Sequence, residues 1–518
     1  MSIKKITHIL VFGIVLLLVT GCTNLSPEYV EPQAKKIPSD WKMSKDESSK
    51  AIVEWWKIFN DETLDLLVKK AYEQNLDLRG AGLRILQARA ALGISRGLQY
   101  PQSQALSGSL AGVRSNDNNF LTAGVNFDMS WEMDIWGKYL NDTKSAEATL
   151  YATVASYDEV LITIISEVAR NYVSYRTAQE RIMFAKRNIV IQKRVVNMTQ
   201  IQYNAGNVSE LDMQQARTQL YTTEAVLPSL KLSIRKSKNA IAILLGTIPQ
   251  EIDLLLKNDV LRELHVDIDN GLSKDYRNSY IPTTELGDIN IDVNLLNRRP
   301  DLRVAELQAR AQNAKIGSTK AELYPHFSLF GNIGVNSNDA NNDWVSLSNS
   351  FGVSVGPSFR WNIFQYDRIK NQIRLQDAIF QEKLNNYNKK TILAVREVTD
   401  ALNGYMYKKE QLVLQDKVIK ANIRAFNLSM TQYNNGFVSY QRLLTTAEKL
   451  TRNEDAYASV KGDISQQIIS LYKALGGGWQ ISRGNSYLHA DDIEEMRNRT
   501  DWGEYFDDNK TQIPNKEF

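Results

Sequence analysis

Between Ala123 and Ile135 large apolar side chains take every second position, and the pattern returns between Phe351 and Ile363. In the first stretch Val125, Phe127, Met129, Trp131 and Met133 alternate with Asn126, Asp128, Ser130, Glu132 and Asp134. In the second, Val353, Val355, Pro357, Phe359 and Trp361 alternate with Ser354, Gly356, Ser358, Arg360 and Asn362. Weaker versions run through Phe327, Leu329, Ile333 and Val335, and through Leu106 and Leu110. A two-residue period puts one row of side chains on each face of a sheet. Ten or more such residues suit a strand with hydrocarbon on one side and water on the other. A soluble sandwich also alternates, but two features favour lipid. Trp131 and Trp361 stand near strand ends, where interfacial aromatics gather. The connections 114–120 and 336–349 are rich in Asn, Asp and Ser. Four strands cannot enclose a lumen, and open edges are not tolerated in lipid. Several chains must therefore pool their strands.

The chain is also a duplication. Residues 77–101 align without a gap on 301–325, from Asp77-Leu78-Arg79 and Asp301-Leu302-Arg303 to Tyr100-Pro101 and Tyr324-Pro325. Further on, Tyr203-Asn204-Ala205-Gly206-Asn207-Val208-Ser209 matches Tyr433-Asn434-Asn435-Gly436-Phe437-Val438-Ser439. So long a period is a doubled domain-sized plan and not a solenoid. The plan divides the chain into a signal segment (1–21), an extended N-terminal segment (22–60), two repeats (61–285 and 286–478) and an acidic tail (479–518). Each repeat holds a helix, two strands (about 103–135 and 326–364) and a helical hairpin (138–245 and 367–475).

From Lys138 to Ala205 there is neither glycine nor proline, and from Asp367 to Asn435 only Gly404 intervenes. At ~1.5 Å per residue, helices of this length reach on the order of 100 Å. Leu161, Ile165, Val168, Tyr172 and Tyr175 mark one buried face, as do Ile392, Val395, Val398, Leu402 and Tyr405 in the second copy. Gly206 and Gly436 permit the reversal, and Pro228 is expected to kink or split the first descending helix. Long helices with a narrow apolar stripe belong to coiled-coil assemblies. A purely fibrous coiled coil, however, leaves the alternating segments unexplained.

Lys4 and Lys5 precede an apolar run from Ile9 to Val19 that is too short to span a bilayer and ends in Leu18-Val19-Thr20-Gly21-Cys22. That is a secretory signal, and its ending looks like a bacterial lipobox. Cleavage before Cys22 and its modification with diacylglyceryl and an N-acyl chain are implied, with no other cofactor. Thr23 lacks the acidic character linked to inner-membrane retention, so outer-membrane sorting is expected. Cys22 is the only cysteine, which excludes an intramolecular disulfide. Losing Lys4 and Lys5 lowers the formal charge of +3 by two. Nucleic acid is not an expected partner, since phosphate binding needs clustered basic excess. No later segment is an uninterrupted apolar run of spanning length, so any membrane crossing falls to strands.

Further motifs give the pattern a family. Pro27-Glu28-Tyr29-Val30-Glu31-Pro32, Trp55-Trp56 and Asn75-Leu76-Asp77-Leu78 stand in order before Leu295-Leu296-Asn297-Arg298-Arg299-Pro300-Asp301-Leu302. Leu471-Tyr472-Lys473-Ala474-Leu475-Gly476-Gly477-Gly478-Trp479 closes the series. With them the chain resembles the TolC/OprM-like outer-membrane factor family, in its lipoprotein (NodT-type) branch, over nearly its whole mature length. The resemblance implies a mainly α fold with membrane β-structure. In it, a homotrimeric α-helical barrel tunnel joins a shared 12-strand transmembrane β-barrel, four strands per chain. It implies the exit duct of a tripartite efflux system, partnered by a periplasmic adaptor protein and an inner-membrane RND-type pump.

On that resemblance the adaptor docks at the hairpin tips, Tyr203, Asn204, Gly206, Val208 and Ser209 with Tyr433, Asn434, Gly436, Val438 and Ser439. Carboxylates a few residues beyond the tips usually close the family's periplasmic end. Asp212 holds such a place, but Arg442 and Thr445 stand where an acid is usual in the second copy. Arg442 facing Asp212 across neighbouring helices is the expected gate, and Arg442 on a merely solvated face is the alternative.

Nothing in the sequence points to catalysis or a metal site. The four histidines are scattered, and no metalloprotease, phosphate-loop or nucleophile-elbow motif occurs. Gly476-Gly477-Gly478 follows a helix and reads as its stop. Asp491-Asp492 and Glu494-Glu495 read as a solvated tail. Two other functions stay open: the outer-membrane duct of a type I-like protein or peptide secretion system, and a non-conducting periplasm-spanning scaffold or adhesin.

Overall fold

The computed structural model describes residues 25–32, 53–115, 118–256, 279–286, 299–338 and 350–506. Cys22 and the signal segment lie outside them. The described chain is mainly helical with one four-stranded antiparallel sheet. The first copy holds α1 (Glu62–Gln74), α2 (Leu76–Gly97), β1 (Ser103–Ser115), β2 (Asn118–Met133), α3 (Lys138–Asn204), α4 (Glu210–Leu244) and the short α5 (Pro249–Leu255). The second holds α6 (Pro300–Ala321), β3 (His326–Asn338), β4 (Phe351–Arg360), α7 (Arg368–Asn434) and α8 (Tyr440–Ala474), and α9 (Ala490–Arg499) follows. Matching elements have equal lengths: 22 residues in α2 and α6, 67 in α3 and α7, 35 in α4 and α8. The strands run further into the connections than the composition suggests, since Arg114, Asn119, Phe120, Asn336 and Asn338 are all in the sheet.

The chain forms two compact units, one of which gathers Leu83–Ser156 and Asp301–Lys390 with the described N-terminal residues. Its sheet has the order β1-β2-β3-β4. The register sets Leu106 opposite Phe127, Phe127 opposite Ile333, and Ile333 opposite Val353. The apolar rows of all four strands therefore share one face, as a common lipid-facing surface requires. Phe330 departs from the pattern, lying on the polar face against Gly356. Trp131 and Trp361 are tied at the rim: their Nε1 groups donate to the carbonyls of Gln99 (3.3 Å) and Leu323 (3.0 Å), equivalent positions in the two copies. The N-terminal segment lies along α6. Asn313 Nδ2 donates to the Pro27 carbonyl (2.9 Å) and Tyr29 Oη donates to Glu306 (2.9 Å). Gly317 leaves room for Ser26, whose Cα would be 2.7 Å from an added Cβ.

The second unit contains α1, α4, α5, α8, most of α3 and α7, and the C-terminal residues. The predicted stripe on α3 is buried throughout, from Leu161 to Tyr175. One stretch of α3 is apolar enough over 18 residues to pass as a membrane span by composition. Just over half of that stretch, 56%, is buried in this core. On α7 the buried series is Ala394, Val398, Ala401 and Tyr405, whereas Ile392 is exposed. The expected stripe was therefore rotated by two residues at its start. Pro228 does not split α4, which runs on through it. Burial of Leu220, Leu230 and Ile241 on the same helix offsets a defect of about 3 kcal/mol.

Each hairpin returns to the start of its own repeat through an equivalent joint. Asn75 Nδ2 donates to the Leu244 carbonyl (2.7 Å), and Arg299 Nη1 donates to the Ala474 carbonyl (2.7 Å). Both satisfy a carbonyl that a helix end leaves without an intrahelical partner. The Arg-Pro-Asp and Gly-Gly-Gly-Trp motifs thus meet at one place. Gly476 adopts φ +69°, and a Cβ there would press on Arg299 at 3.2 Å. Gly478 (φ +105°) lies against Trp55 and Trp56, and Trp55 stacks on Tyr472 at 5.6 Å. Residues 55–59, expected to be extended, form a short 3-10 helix with Trp55, Trp56 and Phe59 buried.

The acidic tail is folded rather than merely solvated. Within α9, Asp492 receives Arg79 Nε (3.2 Å) and Nη2 (2.8 Å). Tyr487 packs edge-on to Tyr157 at 5.0 Å, and its carbonyl sits directly over Gly82. Residues 507–518 of the expected tail lie outside the described residues.

Candidate functional site

Two places combine exposure with organised chemistry: the sheet and the hairpin tips. On the polar face of the sheet, Asn126 Nδ2 donates to Asn336 Oδ1 (3.0 Å) and Asn336 Nδ2 donates to Asn126 Oδ1 (2.8 Å). Asn126 lies over Gly334 and Asn336 over Gly124, so each amide fills the space that a glycine opens. Asn332 Nδ2 donates to Asp128 (2.7 Å) one step along the strands. The opposite face exposes Leu106, Phe127, Val353, Val355 and Phe359. One side is thus built for water and the other for hydrocarbon. Among the described residues β1 and β4 each have one paired edge and one open edge.

Both hairpin tips use the same turn. Gly206 and Gly436 each adopt φ +74°, and the amides of Asn207 and Phe437 close on the carbonyls of Gln202 and Gln432 at 2.9 Å. Asn204, Gly206, Ser209, Asn434, Gly436 and Ser439 are exposed, as are Tyr203 and Phe437, while Val208 and Val438 are half-buried. Tyr433 differs from its counterpart Tyr203: it is buried in a core that includes Ile191, Val195, Phe426 and Leu443. Tyr440 joins it at 6.1 Å, edge to face. Among the described residues the Tyr440 hydroxyl has no hydrogen-bond partner, and the Tyr433 hydroxyl lies near that of Thr199, which itself donates to the Val195 carbonyl. Burial pushes both phenols above their ordinary range, and the Asp212 charge adds to the effect. Tyr440 closes the expected second tip, Tyr433–Tyr440, and is buried, whereas its equivalent in the first copy, Glu210, is polar and exposed.

The two gate candidates have opposite local roles. Ser209 caps α4, its Oγ accepting from the Asp212 amide (3.2 Å), and Asp212 Oδ2 accepts from the Ser209 amide (3.0 Å). This is a reciprocal capping box, and an acid in the first turn also suits the helix dipole. Ser439 makes no side-chain cap on α8, and Arg442, at the position of Asp212, carries no acceptor to complete a reciprocal capping box. Arg442 is exposed, forms no ion pair among the described residues, and puts a cation at the positive end of a helix. Asp212 and Arg442 are not paired with each other within one chain.

Two further apolar rows are exposed. Tyr221, Leu232 and Ile243 recur every eleven residues along α4, and Ile392, Met406, Leu414 and Leu428 share one face of α7. An eleven-residue step follows a 3.6-residue turn closely, so the α4 row stays on one side of its helix. Among the described residues no group of three His, Cys, Asp or Glu side chains is placed to hold a metal.

A family model described as "Outer membrane efflux protein" matches residues 67–247 and 293–477. The probable outer membrane lipoprotein SilC of Salmonella typhimurium is 25% identical over 472 residues, covering 89% of this chain and 97% of that protein. The cation efflux system protein CusC of Escherichia coli O157:H7 is 27% identical over 484 residues, covering 90% and 98%. Among solved structures, the outer-membrane channel OprN superposes with a TM-score of 0.77 at 27% identity, covering 88% of this chain and all of that one.

Proposed function

The chain belongs to the outer membrane efflux protein family, and from that membership we propose that it is the exit duct of a tripartite efflux system. Three copies pool their sheets into a twelve-strand barrel, and their hairpins form a helical tunnel into the periplasm. The observation that carries this reading is the sheet, wet on one face, apolar on the other and open at both edges. In hydrocarbon its open edges must be paired by other strands. The exposed rows on α4 and α7 supply the matching contacts between copies below the membrane. Conduction is passive and involves no catalysis; the energy comes from an RND-type pump of the inner membrane.

Cys22, acylated on its thiol and its amino group, anchors the chain, since stable attachment takes more than one lipid chain. The likeness to the lipoprotein SilC supports this. The tips, from Tyr203 to Ser209 and from Tyr433 to Tyr440, dock a periplasmic adaptor through their exposed residues. Arg442 of one copy pairs with Asp212 of the next and biases the tunnel toward closure. The unpaired, dipole-opposed setting of Arg442 in a single chain supports a partner outside it.

Reconstitution tests the reading. Detergent-purified mature protein should run as a trimer and give discrete conductance steps in planar bilayers. A monomer with no conductance would overturn it.

A further inference from the structure

The cations of this chain gather toward the tips of its two hairpins. The turn-side half of the first hairpin, residues 176–238, carries eleven Lys and Arg against four Asp and Glu. The matching half of the second, residues 406–468, carries nine against six. The two halves together are thus ten charges positive, whereas the whole chain is only +3, so the remainder is net acidic. We propose that the periplasmic end of the duct is electropositive inside and admits anionic solutes, such as organic carboxylates, sulfonates or phosphates, in preference to cations. The inference rests on the duct reading above and adds the charge class of what the duct conducts.

The excess is not neutralised where it stands. Seven of the ten acids in these halves already hold a cation, among them Glu224 with Lys193 (3.3 Å), Asp455 with Arg181 (2.7 Å) and Asp463 with Lys408 (2.9 Å). An eighth, Asp212, is engaged in the cap of α4. Lys417, Arg424, Arg442 and Lys449 are exposed and form no ion pair among the described residues. Arg442 adds an independent sign. It keeps its charge at the positive end of α8, where an acid would stabilise the helix and complete a capping box as in the first copy. A charge kept against its local interest points to a use beyond the helix.

The face that carries the charge is made for water. Arg442, Lys449 and Arg452 follow one another at steps of seven and three along α8, with Thr445 between them, so they share one side of the helix. All three are exposed, and Arg452 is partnered only by Glu448 one turn back. From Arg442 to Ala474 this helix exposes no large hydrophobic side chain, whereas α3, α4 and α7 each expose several. The apolar rows on α4 and α7 are the surfaces that other copies can cover, and the open face of α8 is left wet. The gate reading puts the first turn of α8 at the constriction, and Lys449 continues the same face about 10 Å further in. In the closed duct Arg442 is matched by Asp212 of another copy, while Lys449 keeps the mouth positive in both states. Rings of Lys or Arg favour anions, and low-dielectric walls concentrate the field of such rings along a narrow path.

Reversal potentials in a KCl gradient test this on full-length trimers in planar bilayers. At about 0.1 M KCl, where the screening length is ~10 Å, chloride should pass more readily than potassium. The preference should fade toward about 1 M, where that length falls to ~3 Å. Lys449→Glu should lower the chloride-to-potassium permeability ratio roughly twofold or more while discrete conductance steps persist. Lys449→Cys supplies a second reading that needs no refolding, since assembled channels are labelled in place. A negatively charged methanethiosulfonate should lower the ratio, a neutral one should lower it less, and unaltered protein treated alike controls for Cys22, the only native cysteine. Conducting channels that favour potassium, or whose preference is indifferent both to Lys449→Glu and to the labels, would overturn the electropositive mouth and leave the duct standing. Protein that never conducts would overturn the duct reading itself.

Discussion

Exchanging Arg442 for aspartate should make the second hairpin tip more stable and the closed duct less so. The first tip shows what is missing from the second. Asp212 accepts the Ser209 amide at 3.0 Å and returns its own amide to Ser209 Oγ at 3.2 Å. Ser439 has the same extended N-cap backbone but no reciprocal acid. Arg442→Asp supplies that acid, and a capping interaction contributes about 1 kcal/mol. It also replaces an unfavourable charge at the helix N-terminus with a favourable one, worth about 0.3–1 kcal/mol. Together these come to about 1.5 kcal/mol, or roughly tenfold slower opening of the first turn of α8. Amide hydrogen exchange over residues 437–445 reads this directly. Unchanged or faster exchange would refute the capping argument. Bilayer conductance of the same variant tests the gate separately. If Arg442 ties copies to Asp212, its reversal sets acid against acid, and open time and leak should rise. Conductance and leak like those of the unaltered protein would refute the gate while leaving the capping argument intact.

Arg299→Ala removes a buried charge-assisted bond to the Ala474 carbonyl and should lower stability by about 2 kcal/mol in thermal denaturation, with a smaller loss for Asn75→Ala at the equivalent joint. A Gly82→Val side chain would collide with the Tyr487 carbonyl, so the C-terminal segment should detach at a cost of about 1–3 kcal/mol and become open to proteolysis between residues 484 and 499. Tyr440 should make the tip alkali-sensitive. A phenol raised by burial contributes stability that is complete below its unfolded value of about 10 and is lost as pH climbs through the folded value. Protection of the tip amides, measured against intrinsic exchange at each pH, should therefore fall above about pH 10, and Tyr440→Phe combined with Tyr433→Phe should abolish that fall.

The parts of this fold that were readable from residues are those governed by local period. Alternation from Val125 to Met133 fixed a strand face because side chains two apart cannot lie on opposite sides. The glycines at 206 and 436 marked reversals because only a left-handed residue turns the chain there so tightly. What stayed hidden depends on partners remote in sequence. The exposure of Ile392 follows from which side of α7 meets its neighbours, a fact absent from its own apolarity. The acidic run in α9 looked like tail because Arg79, more than four hundred residues away, is what holds it. Asn126 and Asn336 looked like ordinary wet-face residues; that each rests over a glycine on the facing strand is a matter of register. At the tips the sequence difference between Asp212 and Arg442 was plain, but its meaning appeared only once Ser209 and Ser439 were seen as helix caps.

The asparagine lattice on the sheet bears on what a solute would meet. Amides that exchange hydrogen bonds with one another, each set into a glycine hollow, have less capacity left to grip a passing molecule. A lining of this kind is smooth and weakly adhesive. It favours throughput over recognition, and leaves the choice of traveller to whatever loads the conduit from below.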